Sequence, residues 1–376
     1  MKISFSYSQS IPGTGDLIFT HVDADVDGFE LITLKRLRLD SLRFTDNGIC
    51  SSNLFRINEQ TFTMPVTGFS DIPTGTLVRI VWGSATGNND SDFTDGVIQV
   101  FANTFVGGGS PGLNASGEQI ISFMGNENGA LNCAGGTGAN TYVSGVDWAK
   151  STGWSITGAT TSSDSKAPGT TTDNEIKNNL DATWYSGVVS GNVTSIIAAT
   201  GSGVRNPSNW SGTNTGTGTF LPLKNIQLHG SNYSSGSAIA SSGGGNESSI
   251  NLSGLSFSNS NTDTRYLVII NEGSAPNTPA NRYTCYTPNI NITLAANVVT
   301  SVSNPPCTGP TFGNGKIVYF NYTLPSNLSV SGLANNTCYY VSVYAINGNG
   351  YSANLSSIPA STSFFTGNLS SSINAY

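Results

Sequence analysis

A chain of 376 residues with 44 glycines and only 10% charged residues is too long for one small domain and too poor in helix formers for long helices. Its formal net charge of −7, with residues 35–43 as the single basic cluster, excludes the basic stripe that a nucleic-acid backbone requires. No apolar run reaches the roughly 20 residues of a membrane-spanning helix, so the expected class is all-β without membrane insertion.

The N-terminal stretch MKISFSYSQSIPGTGD alternates Ile3, Phe5 and Tyr7 as a strand does, and it lacks the apolar run of a secretory signal. The chain is therefore expected to act unprocessed, with both ends ordered. Next come short runs bounded by Gly, Pro, Asn or Asp: DLIFTHV, GFELITLKRLRL, SLRFTDNG, FRINEQTFTM, TLVRIVW, GVIQVFAN and EQIISFMG. This spacing is that of an antiparallel sandwich.

Between the first two runs, HVDADVDGFE sets Asp23, Asp25 and Asp27 at alternate positions before Gly28, like the opening of a calcium loop. An EF-hand is excluded, because its twelfth position is Leu34 rather than Glu and Gly28 leads straight into a β run. Two readings remain. In one, Asp23, Asp25 and Asp27 are ligands of a looser calcium site. In the other, which is the expectation, they form an acidic turn whose side chains bond local amides, and no cofactor is held. NNDSDFTD, with Asp90, Asp92 and Asp95, poses the same choice. LKRLRLDSLR, with Leu34, Leu37, Leu39 and Leu42 among its charges, reads as a strand whose charged residues face solvent.

From Ala134 to Thr219 the chain becomes dense in Gly, Ser and Thr. One short helix is expected near TDNEIKNNL, capped by Thr172 or Asp173. A boundary near Pro222 divides the chain into domains 1–222 and 223–376, and twelve of the 22 acidic residues lie between Asp16 and Asp95. Beyond it, TRYLVIIN, KIVYFNYT, NLSVSGL and CYYVSVYAINGNG alternate as strands, and GNGK at residues 313–316 reads as a hairpin turn. The five cysteines are odd in number and contain no C-x-x-C, which argues against zinc and against a fully paired disulfide framework. Buried free thiols are expected, with one bridge among Cys285, Cys307 and Cys338 left open.

The segment LSVSGLANNTCYYVSVYAINGNGYS resembles a fibronectin type III domain through Gly332, Leu333, Tyr339, Val341, Val343, Ala345, Asn347 and Gly350. The resemblance covers roughly 223–367. It implies an immunoglobulin-like sandwich in which Tyr339 is a buried corner tyrosine whose hydroxyl bonds upstream backbone. RYLVIINEGSAPNTP is similar to fibronectin-like modules of Bacteroidota exoproteins. The first region looks like a domain that precedes such modules, through GDLIFTHVDADVDGFELITL, RFTDNG, IPTGTLVRI and NPSNWSG. The fold expectation is thus all-β, with two β-sandwich-type domains. Neither resemblance implies enzymatic activity.

Catalytic motifs are absent from the sequence: the only imidazoles are His21 and His229, and no nucleophile elbow, zinc helix or phosphate loop occurs. A carbohydrate-acting protein would need two acids meeting from distant segments. The expected function is non-catalytic: an exposed bacteriophage virion component, such as a head decoration, fibre or tail protein. Its partners would be other virion proteins, copies of itself, or a host-surface glycan or protein. The alternative is a secreted or cell-surface bacterial adhesion protein.

Overall fold

The computed structural model describes residues 10–49, 55, 59–83, 87–91, 97–107, 112–114, 117–125, 140–148, 174–176, 180–187, 190–192, 196, 204, 206–214, 227–229, 240–242, 249–253, 264–274, 284–285, 297–300, 311–335, 337–347, 354–355 and 360–366. The chain divides into two compact units: Met1–Phe93 with Val97–Gly230, and Ser231–Tyr376 with Thr94–Gly96. The described residues contain no α-helix, and hence no helix long and apolar enough to cross a membrane. The two chain ends and Pro222 lie outside the described residues.

The strands of the first unit are β1 (Leu17–Asp23), β2 (Gly28–Thr33), β3 (Arg43–Thr45), β4 (Gln60–Thr63), β5 (Leu77–Val81), β6 (Val97–Phe101) and β7 (Phe105–Gly107). They continue with β8 (Glu118–Met124), β9 (Thr141–Trp148), β10 (Asn174–Glu175), β11 (Ala182–Tyr185), β12 (Ser190–Asn192), β13 (Trp210–Thr213) and β14 (Gln227–His229). Two six-stranded sheets result, in the orders β13-β11-β1-β2-β5-β6 and β10-β9-β8-β3-β4-β7, with β12 and β14 as a separate parallel pair.

Aromatic side chains join the two sheets. Phe29 of β2 lies 5.2 Å from Phe44 of β3, and Trp82, just after β5, lies 4.9 Å from Phe105 of β7 (ring centroids). Each such pair contributes beyond its buried area, because offset or edge-on rings match their quadrupoles. The outward face of the first sheet is buried as well: every residue of β1 and β2 is inaccessible.

A register irregularity between Phe19 and His21 explains how polar residues enter this arrangement. In an unbroken strand these two residues would share a face. The extra residue, Thr20, lets Phe19 pack inward at 5.6 Å from Phe29, while His21 turns outward opposite Glu30.

Two expectations are corrected in this unit and one in the next. The run LKRLRLDSLR is not a strand: β2 ends at Thr33, and Leu37 makes only isolated bridges to Ser10 and Ile72. Leu37, Leu39 and Leu42 are nevertheless fully buried. The charges between them face acids, Lys35 on Asp16, Arg36 on Asp71 and Arg38 on Asp40. The expected helix near TDNEIKNNL is also absent where described. Asn174 and Glu175 instead run parallel to Val146 and Asp147, with Ile176 buried behind them, because tertiary burial overrides weak local propensity. NPSNWSG starts with a single 3-10 turn, Pro207–Asn209, capped by the Asn206 side chain on the Ser208 amide.

The second unit contains β15 (Ala240–Ser242), β16 (Ser249–Ser253), β17 (Thr264–Glu272), β18 (Thr284–Cys285), β19 (Asn297–Thr300), β20 (Thr311–Asn321), β21 (Asn327–Ser331), β22 (Thr337–Asn347), β23 (Asn354–Leu355) and β24 (Ala360–Thr366). A three-stranded sheet, β15-β16-β21, faces a seven-stranded one in which β20, β17, β22 and β24 are successive neighbours. Leu252, Leu328 and Val330 from the small sheet pack with Val268, Ile270, Val318, Tyr339, Val341 and Val343 from the large one. On the other side of the large sheet, Leu267, Ile269, Ile317 and Tyr344 form a second buried cluster. The Arg265 guanidinium lies 4.7 Å from the Phe320 ring centroid and is 1% exposed.

The corrected element here is GNGK. Residues 313–316 lie inside β20, and the pairing jumps from Asn297↔Lys316 to Val299↔Thr311. The glycines serve an irregular register within a strand rather than a turn. Cys338 is a free, half-buried thiol, so it takes no part in a bridge.

Candidate functional site

Asp23 and Gly28 face each other across the first hairpin, which leaves Ala24–Asp27 as its turn. Asp23 is buried and accepts from the Asp25 amide at 3.2 Å, whereas Asp25 is exposed. Asp27 has φ +50°, a left-handed conformation that Asp tolerates, and its Oδ1 accepts from the Leu113 amide at 2.6 Å. Burial pushes its carboxyl above the ordinary value, and the Leu113 amide opposes that. Asp23 and Asp27 are thus engaged with backbone amides. Added calcium or chelator is expected to leave the melting curve unchanged, and so is Asp25→Ala. A calcium-dependent rise abolished by Asp25→Ala would establish the ligand reading instead.

Acids meet elsewhere. Asp46 follows β3, Glu59 precedes β4 and Glu118 opens β8, so the antiparallel register of these three strands brings all three to one end of the second sheet. One oxygen from each lies within 4.8 Å of the others, the only such group of three among the described residues. Asp46 is 3% exposed and accepts from the Gln60 amide at 3.0 Å. Its pKa is pushed up to about 8, first by burial and then by the charges of Glu59 and Glu118, against the amides of Asp46 and Gln60. Burial and the two neighbouring charges thus favour the protonated carboxyl at neutral pH. Thr45, Asn47 and Gln119 brace the backbone: Asn47 bonds the Glu59 amide, and the Gln119 amide group reaches the Asn47 carbonyl.

Glu118 Oε2 accepts from the Asn114 amide at 2.9 Å, and Asp27 holds the adjacent Leu113 amide. The short segment 112–114 is thereby tied to the first sheet through Asp27 and to the second through Glu118. Trp148, opposite Glu118 on β9, is fully buried beside this end.

A different polar group crosses the first sheet. His21, Glu30 and Arg79 are direct partners on β1, β2 and β5, with His21 Nδ1 2.8 Å and Arg79 Nη2 3.4 Å from the same Glu30 oxygen. Burial pushes the Glu30 carboxyl up, but the Arg79 charge and the His21 hydrogen bond outweigh it, and its pKa lies below the ordinary value. His21 is one of the two imidazoles in the sequence. Its place in a sealed row, edge-on to Trp184 at 6.3 Å, makes it a structural partner of Glu30.

In the second unit Tyr339 is 3% exposed, and its hydroxyl accepts from the Ala334 amide at 2.8 Å. The amide lies upstream of Tyr339, where the corner reading expects it. Tyr339→Phe, which keeps the ring and loses this bond, is expected to cost about 1 kcal/mol, measured by denaturant unfolding of the full chain. No protein-family model and no curated protein matches the sequence.

Proposed function

We propose that the protein is a non-catalytic structural protein that works by assembly and surface contact, as an exposed component of a bacteriophage particle. The observation that carries the structural reading is where its charged chemistry lies. His21, Glu30, Asp46, Arg79 and Arg265 are each at most 4% exposed, built into sheets rather than presented in a cleft. The Asp46, Glu59 and Glu118 carboxylates are spaced as closely as those of a retaining glycosidase. Asp46 nevertheless lies where a sugar ring has no access.

The fibronectin type III-like part of the reading is supported by strand pairing. A three-stranded sheet faces β20, β17, β22 and β24, and the Tyr339 hydroxyl closes the corner before β22. Partners are then other particle proteins or further copies of this chain, with a host-surface glycan or protein met by loops. In that arrangement the acidic first unit anchors and the second projects. The test is identification by mass spectrometry in particles purified through a density gradient. Peptides that co-migrate with intact particles support the reading. Peptides found only in the culture medium or the cell-surface fraction overturn it in favour of an adhesion protein.

A further inference from the structure

Residues 112–114 link the two sheets of the first unit at the acidic end. Leu113 is 7% exposed, so its side chain seats the segment, and its amide is held by Asp27 of the β1–β2 turn. Gly112 lies against the same carboxylate, where an added Cβ would stand 3.6 Å from Oδ1. The second clamp is Glu118 on the Asn114 amide. One clamp thus belongs to each sheet, and the Glu118 clamp is also a member of the Asp46–Glu59–Glu118 group.

We propose that segment 112–114 is a proton-held latch: it stays fastened across the end of the first sandwich while one proton is shared among Asp46, Glu59 and Glu118, and it loosens when that proton passes to solvent base. Three carboxylates converging within 4.8 Å cannot all ionise without strong mutual repulsion. Asp46 is fixed by burial and by the Gln60 amide. Glu118, the first residue of its strand and more exposed than Asp46, is the clamp that repulsion would push outward. Doing so breaks its bond to the Asn114 amide and removes the clamp to the second sheet.

The charged groups acting on Asp46 are Glu59 beside β4 and Glu118 on β8. Arg43 of β3 and Asp147 of β9 alternate to the opposite side of the sheet. Asp23, Asp25 and Asp27 belong to the turn that forms the other clamp. The direction follows from linkage: a fold that holds a proton more tightly than its opened form is closed by acid and opened by base.

Hydrogen exchange of the full chain, read by mass spectrometry between pH 6 and 9 and corrected for the intrinsic rate, tests the latch. Protection of the 112–114 amides is expected to fall at least about tenfold over this range, while β5 stays protected. In Asp46→Asn that protection is expected to persist to pH 9. Should Asp46→Asn fail to fold, Glu59→Gln serves, with the midpoint expected to move. Identical protection profiles in wild type and variant would overturn the latch. Restoration of protection by calcium at constant pH would overturn it too, since the counter-charge would then be a metal ion.

Discussion

Asp46→Asn is expected to stabilise the protein at alkaline pH and to change little near pH 4. The folded pKa of Asp46 is raised to about 8 from an ordinary 3.8, so between these values the folded chain binds a proton that the unfolded chain lacks. Stability from this group is therefore full below about pH 4 and is lost as pH rises through about 8. Asn keeps the acceptor oxygen for the Gln60 amide and removes the charge. At roughly 1.4 kcal/mol per displaced pH unit, less solvent screening, the gain at pH 9 is about 3–5 kcal/mol. Urea midpoints of the two proteins should coincide at pH 4 and diverge steadily above it. Parallel curves from pH 4 to 9 would mean that Asp46 is ionised in the fold.

Arg79→Met should cost about 3–5 kcal/mol at neutral pH, because it leaves the Glu30 carboxylate buried with His21 as its remaining side-chain partner. Combining it with Glu30→Leu should recover most of the loss, since a packed apolar pair needs no desolvation of charge. The pH dependence runs opposite to that of Asp46. Glu30 has a depressed folded pKa, so its contribution is present above its ordinary 4.5 and disappears as pH falls below it. From these two groups, wild-type stability should accordingly peak between about pH 4 and 5. Arg79→Met should weaken the acid limb, and Asp46→Asn should flatten the alkaline one.

Many strands were legible where apolar residues alternated between turn formers, and the burial of Tyr339 was legible because its spacing is local. Two kinds of feature were not. Residues 34–42 and 313–316 carry strand and turn signals, yet tertiary partners decide them: Ile72 and Phe69 take the amides of Leu37 and Leu39, and β19 pairs with β20 on either side of its glycines. The acidic group was hidden for another reason. Asp46, Glu59 and Glu118 become neighbours only when β3, β4 and β8 align, and nothing in their separate surroundings foretells that register. A signal for the row around Glu30 was present. DLIFTHVD and GFELIT place apolar residues side by side (Leu17–Phe19, Leu31–Ile32) rather than in strict alternation, which marks strands with apolar residues on both faces, and a charge within such a strand calls for a partner.

The same double burial limits how the second unit can be re-engineered. β17 has seven consecutive inaccessible residues, Thr264–Ile270, so neither side of it offers a tolerant position. Polar grafts at Leu267 or Ile269, where an ordinary sandwich would accept a tag or a binding epitope, should give insoluble product. The usable display surface is the three-stranded sheet, where Asn327 and Ser329 of β21 stand outward between buried neighbours. A fluorophore or affinity handle placed at those two sites should leave expression yield intact, which makes them the rational attachment points for imaging the protein.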